Sequence, residues 1–120
     1  MRNLKVLVCG GRDYDQREHV FQVLDDVLDG MGVIEIIEGG ANGADRLRRE
    51  WAISRHIPYR TFEADWKGEG RKAGPLRNSR MLNVGKPDLV MAFPGGRGTA
   101  DMARKARMAG VPVWETKVVS

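Results

Sequence analysis

The chain has 120 residues, a mass of 13.4 kDa and a formal charge of +4 at pH 7. This length is sufficient for one ordinary hydrophobic core, so we expect a single domain over residues 1–120. No apolar run is long enough to span a membrane, and Leu4–Cys9 is too short for the hydrophobic region of a signal peptide. We therefore expect a cytoplasmic protein that makes no contact with membranes.

Cysteine and histidine are scarce, which limits the chemistry available. Cys9 is the single cysteine and ends an apolar run, which excludes an internal disulfide and favours a packed thiol over a nucleophile. The two histidines have no clustered ligand partners, so we predict no metal site and expect no cofactor. The mild positive charge favours an anionic partner, either a small phosphorylated ligand or a nucleic acid.

Apolar runs and helical spacings alternate along the chain. Strands are predicted at Leu4–Cys9, Val33–Glu38, Tyr59–Glu63, Leu89–Phe93 and Val111–Glu115. Helices are predicted to begin at Asp15 with a capping box to Glu18, at Ala44, at Gly74-Pro75, and at Thr99 with Met102, Ala106 and Ala109 on one face. The glycine-rich and charged segment Ala64–Ala73 predicts an irregular excursion.

This alternation predicts a three-layer Rossmann-like α/β domain with a five-stranded parallel sheet. Pro58 and Pro112 belong to the third and fifth strands, and proline suits the edge of a sheet. The two most apolar strands, which begin at Leu4 and Leu89, suit its centre. The predicted order is therefore 3-2-1-4-5, and ligands enter such sheets where the order reverses, here between strands 1 and 4.

A glycine-rich turn follows the fourth strand and opens the last helix. Its residues are Pro94, Gly95, Gly96, Arg97, Gly98 and Thr99. Glycine permits close backbone approach, and the unpaired amides at a helix N-terminus attract anions. We predict a phosphate cradle here; the alternative is a turn that only reverses the chain.

Two further loops and one helix supply candidate ligand-binding residues around the same edge. They are Gly10, Gly11, Arg12 and Asp13 after the first strand, Gly40 and Asp45 after the second, and Arg77, Asn78 and Arg80 on the third helix. For the aspartates the alternative is helix capping, and for the arginines it is a solvated helix face. Trp66 is a candidate for stacking on a base or for covering the core, and Trp51 is predicted in the core.

Four blocks of this sequence resemble the SLOG superfamily of Rossmann-like nucleotide-binding domains, and most closely its YpsA/YspA-related branch. They are Gly10–Tyr14, Gly39–Asp45, Arg77–Met81 and Pro94–Thr99. The resemblance implies a nucleotide or nucleotide-derived ligand in the crevice between the loops after strands 1 and 4. Because superfamily relatives commonly pair, it also implies a homodimer.

The last block is also similar to the PGGxGTxxE motif of the lonely guy phosphoribohydrolases, which release a base from a nucleoside 5′-monophosphate. Met102 stands where that motif has its glutamate, and Asp101 is the nearest carboxylate. This resemblance makes Asp101 and Arg77 the candidate catalytic residues. A positioned carboxylate is needed because N-glycosidic cleavage passes through a cationic, oxocarbenium-like sugar.

Three functions follow from these residues. The first is a module that senses, sequesters or processes a nucleotide-like ligand. The second is a hydrolase of an N-glycosidic or phosphoryl bond. The third, implied by the DNA-processing members of the superfamily, is single-stranded DNA binding through Trp66 and the basic segment Lys67–Arg80.

Overall fold

Strands and helices alternate along the chain, which the structure, a computed structural model, describes over residues 3–40 and 44–116. The strands are β1 (Leu4–Cys9), β2 (Val33–Glu38), β3 (Tyr59–Thr61), β4 (Leu89–Ala92) and β5 (Val113–Glu115). The helices are α1 (Arg17–Met31), α2 (Ala44–Ser54), α3 (Trp66–Glu69), α4 (Ala73–Asn83) and α5 (Arg97–Met108), with a 3₁₀ turn at Gly70–Lys72. None of these helices in the described residues combines the length and apolar composition that crossing a membrane requires.

The sheet is parallel and has the order β3-β2-β1-β4-β5, which confirms the predicted fold. Strand β1 lies at its centre, where Val6 pairs with Ile36 of β2 on one side and with Leu89 of β4 on the other. Both edge strands follow a proline, as expected. The carboxyl ends of β1 and β4, between which the order reverses, therefore point to the same edge.

Helices cover both faces of the sheet, because the side chains of β1 alternate between two cores. Val6 and Val8 pack with Leu24 of α1 and Trp51 of α2. Leu7 and Cys9 pack on the opposite face with residues of α4 and α5, namely Met81, Met102 and Ala106. The buried positions predicted for Trp51 and Cys9 are confirmed.

The predicted start of α1 is wrong. The helix begins at Arg17, and its N-cap residue Gln16 makes no side-chain capping bond, so Asp15 and Glu18 do not form a capping box. The Arg17 N–H donates to the Asp15 carbonyl oxygen at 2.8 Å, which forms a tight backbone turn before the helix. That turn displaces Asp15 from the capping position.

Other boundaries also differ from the prediction, since β3 ends at Thr61, β4 ends at Ala92 and β5 begins at Val113. Helix α5 begins at Arg97, two residues before Thr99, because Gly96 is its N-cap; its buried face contains Ala103, whereas Ala109 is exposed. The segment expected to be irregular contains α3 and the 3₁₀ turn. Helix α3 is capped by Asp65, which accepts from the Gly68 N–H at 2.9 Å. The capping bond from Gly68 to Asp65 thus stabilises a short helix in a segment whose sequence has no helical periodicity.

Candidate functional site

A cleft of about 900 Å³ opens at the carboxyl edge of the sheet, above the ends of β1, β2 and β4. Its walls come from the loops after β1 and β2, the segment after β3, and the first turns of α4 and α5. Most of the predicted site residues line it: Gly10, Gly11, Arg12, Gly40, Arg77, Asn78, Gly96, Arg97, Gly98, Thr99 and Asp101. The cleft therefore lies at the reversal of strand order, where α/β sheets bind ligands.

Other predicted residues do not line the cleft. Asp13 is exposed on the β1–α1 loop, and Arg80 lies 3.6 Å from Glu69, with which it forms an ion pair. Pro94 and Gly95 lie at the contact between two loops instead of on the cleft wall. The side chain of Asp45 lies outside the part of the chain that the structure describes.

The β1–α1 and β4–α5 loops pack directly against each other. The Gly11 N–H donates to the Pro94 carbonyl oxygen at 2.9 Å. A Cβ added to Gly95 would lie 2.7 Å from the Gly11 nitrogen and 3.0 Å from the Gly10 carbonyl carbon. Contacts this short between a methyl group and backbone do not occur without displacement of a loop, so Gly95 is required for packing.

Gly96 and Gly98 have a different environment, because a Cβ added to either meets no atom within 4 Å. Neither residue has a positive φ, so the backbone conformation does not demand glycine. The two glycines instead leave empty space at the start of α5. Gly96 is the N-cap residue of this 12-residue helix and makes no side-chain capping bond. The first-turn amides therefore have neither intrahelical acceptors nor a side-chain cap, and they lie beside the cleft.

A chain of hydrogen bonds joins the loop after β2 to α4 and α5. Arg77 donates from Nη1 to the Gly39 carbonyl oxygen at 2.6 Å and from Nε to Asn78 Oδ1 at 3.0 Å. The buried Asn78 donates from Nδ2 to the Gly98 carbonyl oxygen at 3.2 Å and to Asp101 Oδ2 at 3.0 Å. Three walls of the cleft are thus linked through Arg77 and Asn78.

Both carboxylate oxygens of Asp101 are engaged. Oδ1 accepts from Arg104 at 2.8 Å, and Oδ2 accepts from Asn78 and lies 3.0 Å from Lys105 Nζ. Partial burial raises the pKa of Asp101, but the hydrogen bonds from Asn78, Lys105 and Arg104 and the Lys105 charge outweigh it, and the net pKa is lowered. Asp101 is therefore an ionised, fixed carboxylate and a weak proton acceptor.

Three arginines give the cleft a positive field. Arg12, Arg71 and Arg97 line it, and among the described residues none of them has a carboxylate within ion-pair distance. Arg12 lies over the Trp66 ring, 5.8 Å from its centroid. Such a concentration of cations with available donors favours an anionic ligand.

Two glutamates were not among the predicted site residues. Glu38 is fully buried, accepts from the Gly40 N–H and the Thr61 hydroxyl, and lies 3.6 Å from Arg49 Nη1, so it holds the backbone at Gly40. Glu63 lines the cleft two residues after β3. Its position at the carboxyl end of a strand is the sequence feature that could have identified Glu63 as a site residue. The described residues contain no group of three His, Cys, Asp or Glu side chains that could hold a metal ion.

Known proteins resemble this chain in sequence. The model of the YAcAr family, described as the YspA, cpYpsA-related SLOG family, matches residues 4–68. The Gene 61 protein of Mycobacterium phage D29 is 37% identical over an alignment 118 residues long, and the alignment covers 91% of this chain and 93% of that protein. No solved structure matches the chain. The family model covers more than half of the chain, and the chain therefore belongs to the YspA, cpYpsA-related SLOG family.

Proposed function

We propose that this protein binds a nucleotide or a nucleotide-derived molecule in the cleft, with a phosphate group against the first turn of α5. The observation that carries this proposal is the uncapped start of α5, where Gly96 and Gly98 leave open space beside the cleft. Backbone amides at such a helix start bind phosphate oxygens, and glycine lets them approach closely. Membership of a SLOG family supports a nucleotide-related ligand.

The charges around the cleft support the same ligand class. Arg97 is the first residue of α5 and is exposed, so its guanidinium can reach a phosphate held by the helix amides. Arg12 and Arg71 add cations on two other walls. A charge-assisted hydrogen bond contributes about 1.5–3 kcal/mol, so three of them contribute about 4.5–9 kcal/mol, and the upper end of this range reaches the ~8.2 kcal/mol of micromolar affinity.

The structure favours binding over N-glycosidic hydrolysis. Met102 is fully buried in the core between α5 and the sheet, so the position of the glutamate in the hydrolase motif faces away from the cleft. Asp101 lines the cleft, but its oxygens are taken by Asn78, Arg104 and Lys105. Arg77 is likewise committed to Gly39 and Asn78. We therefore assign Asp101 and Arg77 to positioning the cleft walls.

Isothermal titration calorimetry with AMP, ADP, cyclic AMP and ADP-ribose tests the proposal. Arg97→Ala should weaken binding at least about tenfold, as expected for the loss of one charge-assisted bond. Arg107→Ala is the matched control, because Arg107 is an exposed arginine at the other end of α5 that pairs with Glu115. The proposal is wrong if no nucleotide binds, or if both variants lose affinity equally.

An oligothymidylate titrated over a salt series examines the DNA-binding alternative. Strand binding releases counterions, so log K falls by roughly 0.7 per phosphate contacted for each unit of log salt concentration. Tight oligothymidylate binding with a steep slope, together with weak nucleotide binding, would contradict the proposed nucleotide site. It would indicate that the protein binds a DNA strand through the exposed basic residues Lys67, Arg71 and Lys72.

Self-association is a separate proposal. Leu76 on α4, Val84 at its C-cap, Met108 on α5 and Trp114 on β5 are large apolar side chains with 40–78% of their surface exposed. We propose that a homodimer covers some of them. Multi-angle light scattering at high micromolar concentration should give twice the chain mass, and a monomer mass would refute the proposal.

A further inference from the structure

The wall of the cleft opposite α5 is built by the segment that follows β3. Glu63 and Trp66 both line the cleft there. Strand β3 is three neighbours away from β4 in the sheet, which at roughly 4.8 Å per strand separates their ends by about 14 Å. The start of α5 and the Glu63 segment therefore lie at two ends of a cleft comparable in length with a nucleotide extended from phosphate to base.

Trp66 presents a fixed and accessible ring. Half of its surface is exposed, although it is a large apolar side chain. It is the first residue of α3, which Asp65 caps. A Cβ added to the buried Gly74 would lie 3.2 Å from Trp66 Cη2, so the indole edge rests against the backbone of α4. The ring is thus held at one edge while half of the side chain stays exposed.

The flat guanidinium group of Arg12 already lies over the Trp66 ring. The guanidinium carbon of Arg12 lies 5.8 Å from the ring centroid, and Arg12 is an exposed side chain on the β1–α1 loop. Planar cations and nucleobases stack on the same kind of aromatic surface. A base can therefore displace Arg12 or stack beside it.

Glu63 supplies an acceptor at the same end of the cleft. Its Cγ would lie 3.1 Å from a Cβ added to Gly40, so its side chain extends over the loop after β2. Among the described residues no cation pairs with Glu63, whereas Glu38 is fully buried and committed to Gly40 and Thr61. Glu63 is therefore the carboxylate available to accept hydrogen bonds from the 2′- and 3′-hydroxyls of a ribose. Acidic residues bind ribose in this way in dinucleotide-binding Rossmann domains.

We propose that Trp66 and Glu63 form a nucleoside subsite, with the base stacked on Trp66 and the ribose hydroxyls bonded to Glu63. This inference rests on the proposed function, because it takes α5 as the site of the phosphate. It narrows the ligand class to ribonucleotides and gives their orientation, with the base towards β3 and the phosphate towards β4. A ribose phosphate without a base should therefore bind more weakly.

Tryptophan fluorescence during ADP titration tests the base contact. A stacked base should quench the emission of the wild type, and Trp66→Phe should abolish the quenching. Trp114→Phe is the matched control, since Trp114 is 42% exposed against 50% for Trp66 and lies on β5 outside the cleft. Quenching that survives in Trp66→Phe, or that disappears in Trp114→Phe, overturns the proposal.

Calorimetry tests the same contact and the ribose contact. Trp66→Ala should weaken ADP binding about 5- to 150-fold but leave ribose 5-phosphate binding unchanged, whereas Trp66→Phe should retain most of the affinity because phenylalanine also stacks. The wild type should prefer ADP to 2′,3′-dideoxy-ADP by about tenfold, and Glu63→Ala should remove this preference.

The two proposals fail in different ways. If ADP and ribose 5-phosphate bind the wild type equally and Trp66→Ala changes neither affinity, the nucleoside subsite is wrong and the phosphate site stands. If neither compound binds the wild type, the proposed function is wrong and the subsite with it. If only the ribose preference is absent, Glu63 has no part in the site.

Discussion

Replacing Gly98 by alanine separates the stability of α5 from its proposed contact with phosphate. The new methyl group meets no atom within 4 Å, and Gly98 does not have a positive φ. Alanine is more favourable than glycine in a helix by about 0.5–1 kcal/mol, so Gly98→Ala should raise the free energy of unfolding by up to that amount. Urea denaturation followed by circular dichroism measures this change.

The same methyl group should reduce ligand affinity. It would project from the first turn of α5, where we place a phosphate within about 2.7–3.1 Å of the backbone amides. Displacement of one charge-assisted hydrogen bond costs about 1.5–3 kcal/mol, which corresponds to roughly 10- to 150-fold weaker ADP binding. A variant that gains stability and loses affinity would support the site.

Gly95→Ala is the matched control for this experiment. Its methyl group would clash with the backbone of Gly10 and Gly11, so the two loops must move apart and stability should fall by about 1–3 kcal/mol. The reasoning is refuted if Gly98→Ala binds ADP as tightly as the wild type. It is also refuted if Gly98→Ala loses as much stability as Gly95→Ala, since the space at Gly98 would then be needed for packing.

Four further substitutions test the network and the core. Asp25→Ala removes the acceptor of the buried Trp51 indole N–H, 2.8 Å away, and should lower the free energy of unfolding by about 1–3 kcal/mol in urea titrations. Arg77→Ala should cost a similar amount and abolish calorimetric ADP binding, whereas Arg80→Ala should cost at most about 1 kcal/mol because its ion pair is partly exposed. Asp101→Asn should destabilise the protein at pH 7. Because the pKa of Asp101 is lowered by folding, its contribution is present above the unfolded pKa and lost as pH falls through the folded pKa, so wild type and variant should converge in acid. Equal pH dependence of the two would contradict this.

The fold could be predicted from the sequence because hydrophobic pattern and proline placement report directly on a parallel sheet. The strongly apolar sequences of β1 and β4 indicated burial on both faces, and Pro58 and Pro112 restricted the third and fifth strands to the edges. Helix α3 could not be predicted. A four-residue helix held by Asp65 and Gly68 has no periodicity to detect.

Many of the residues that line the candidate site were predicted, but the contacts between them were not. Glycine turns and strand ends identified the loops, because parallel strands bring their carboxyl ends to one edge. The bond from Arg77 to Gly39 joins residues 38 positions apart, and the bond from Asn78 to Asp101 joins residues 23 apart. Such contacts depend on the packing of α4 against α5, which no local pattern encodes. For the same reason the sequence did not distinguish Gly95, which packs, from Gly98, which leaves space.

The two edge strands have a consequence for how molecules of this protein meet. The carbonyl oxygen of Pro58 accepts from the Ile36 N–H at 2.9 Å, and that of Pro112 accepts from the Val90 N–H at 2.9 Å, so both prolines bond inward to the sheet. The backbone groups of successive strand residues alternate between the two sides, and each edge strand is only three residues long, so few of its N–H groups point outward. A further strand would therefore find too few donors to extend the sheet in either direction. This protects the chain from edge-to-edge aggregation, and it directs any ordered self-association to side-chain surfaces.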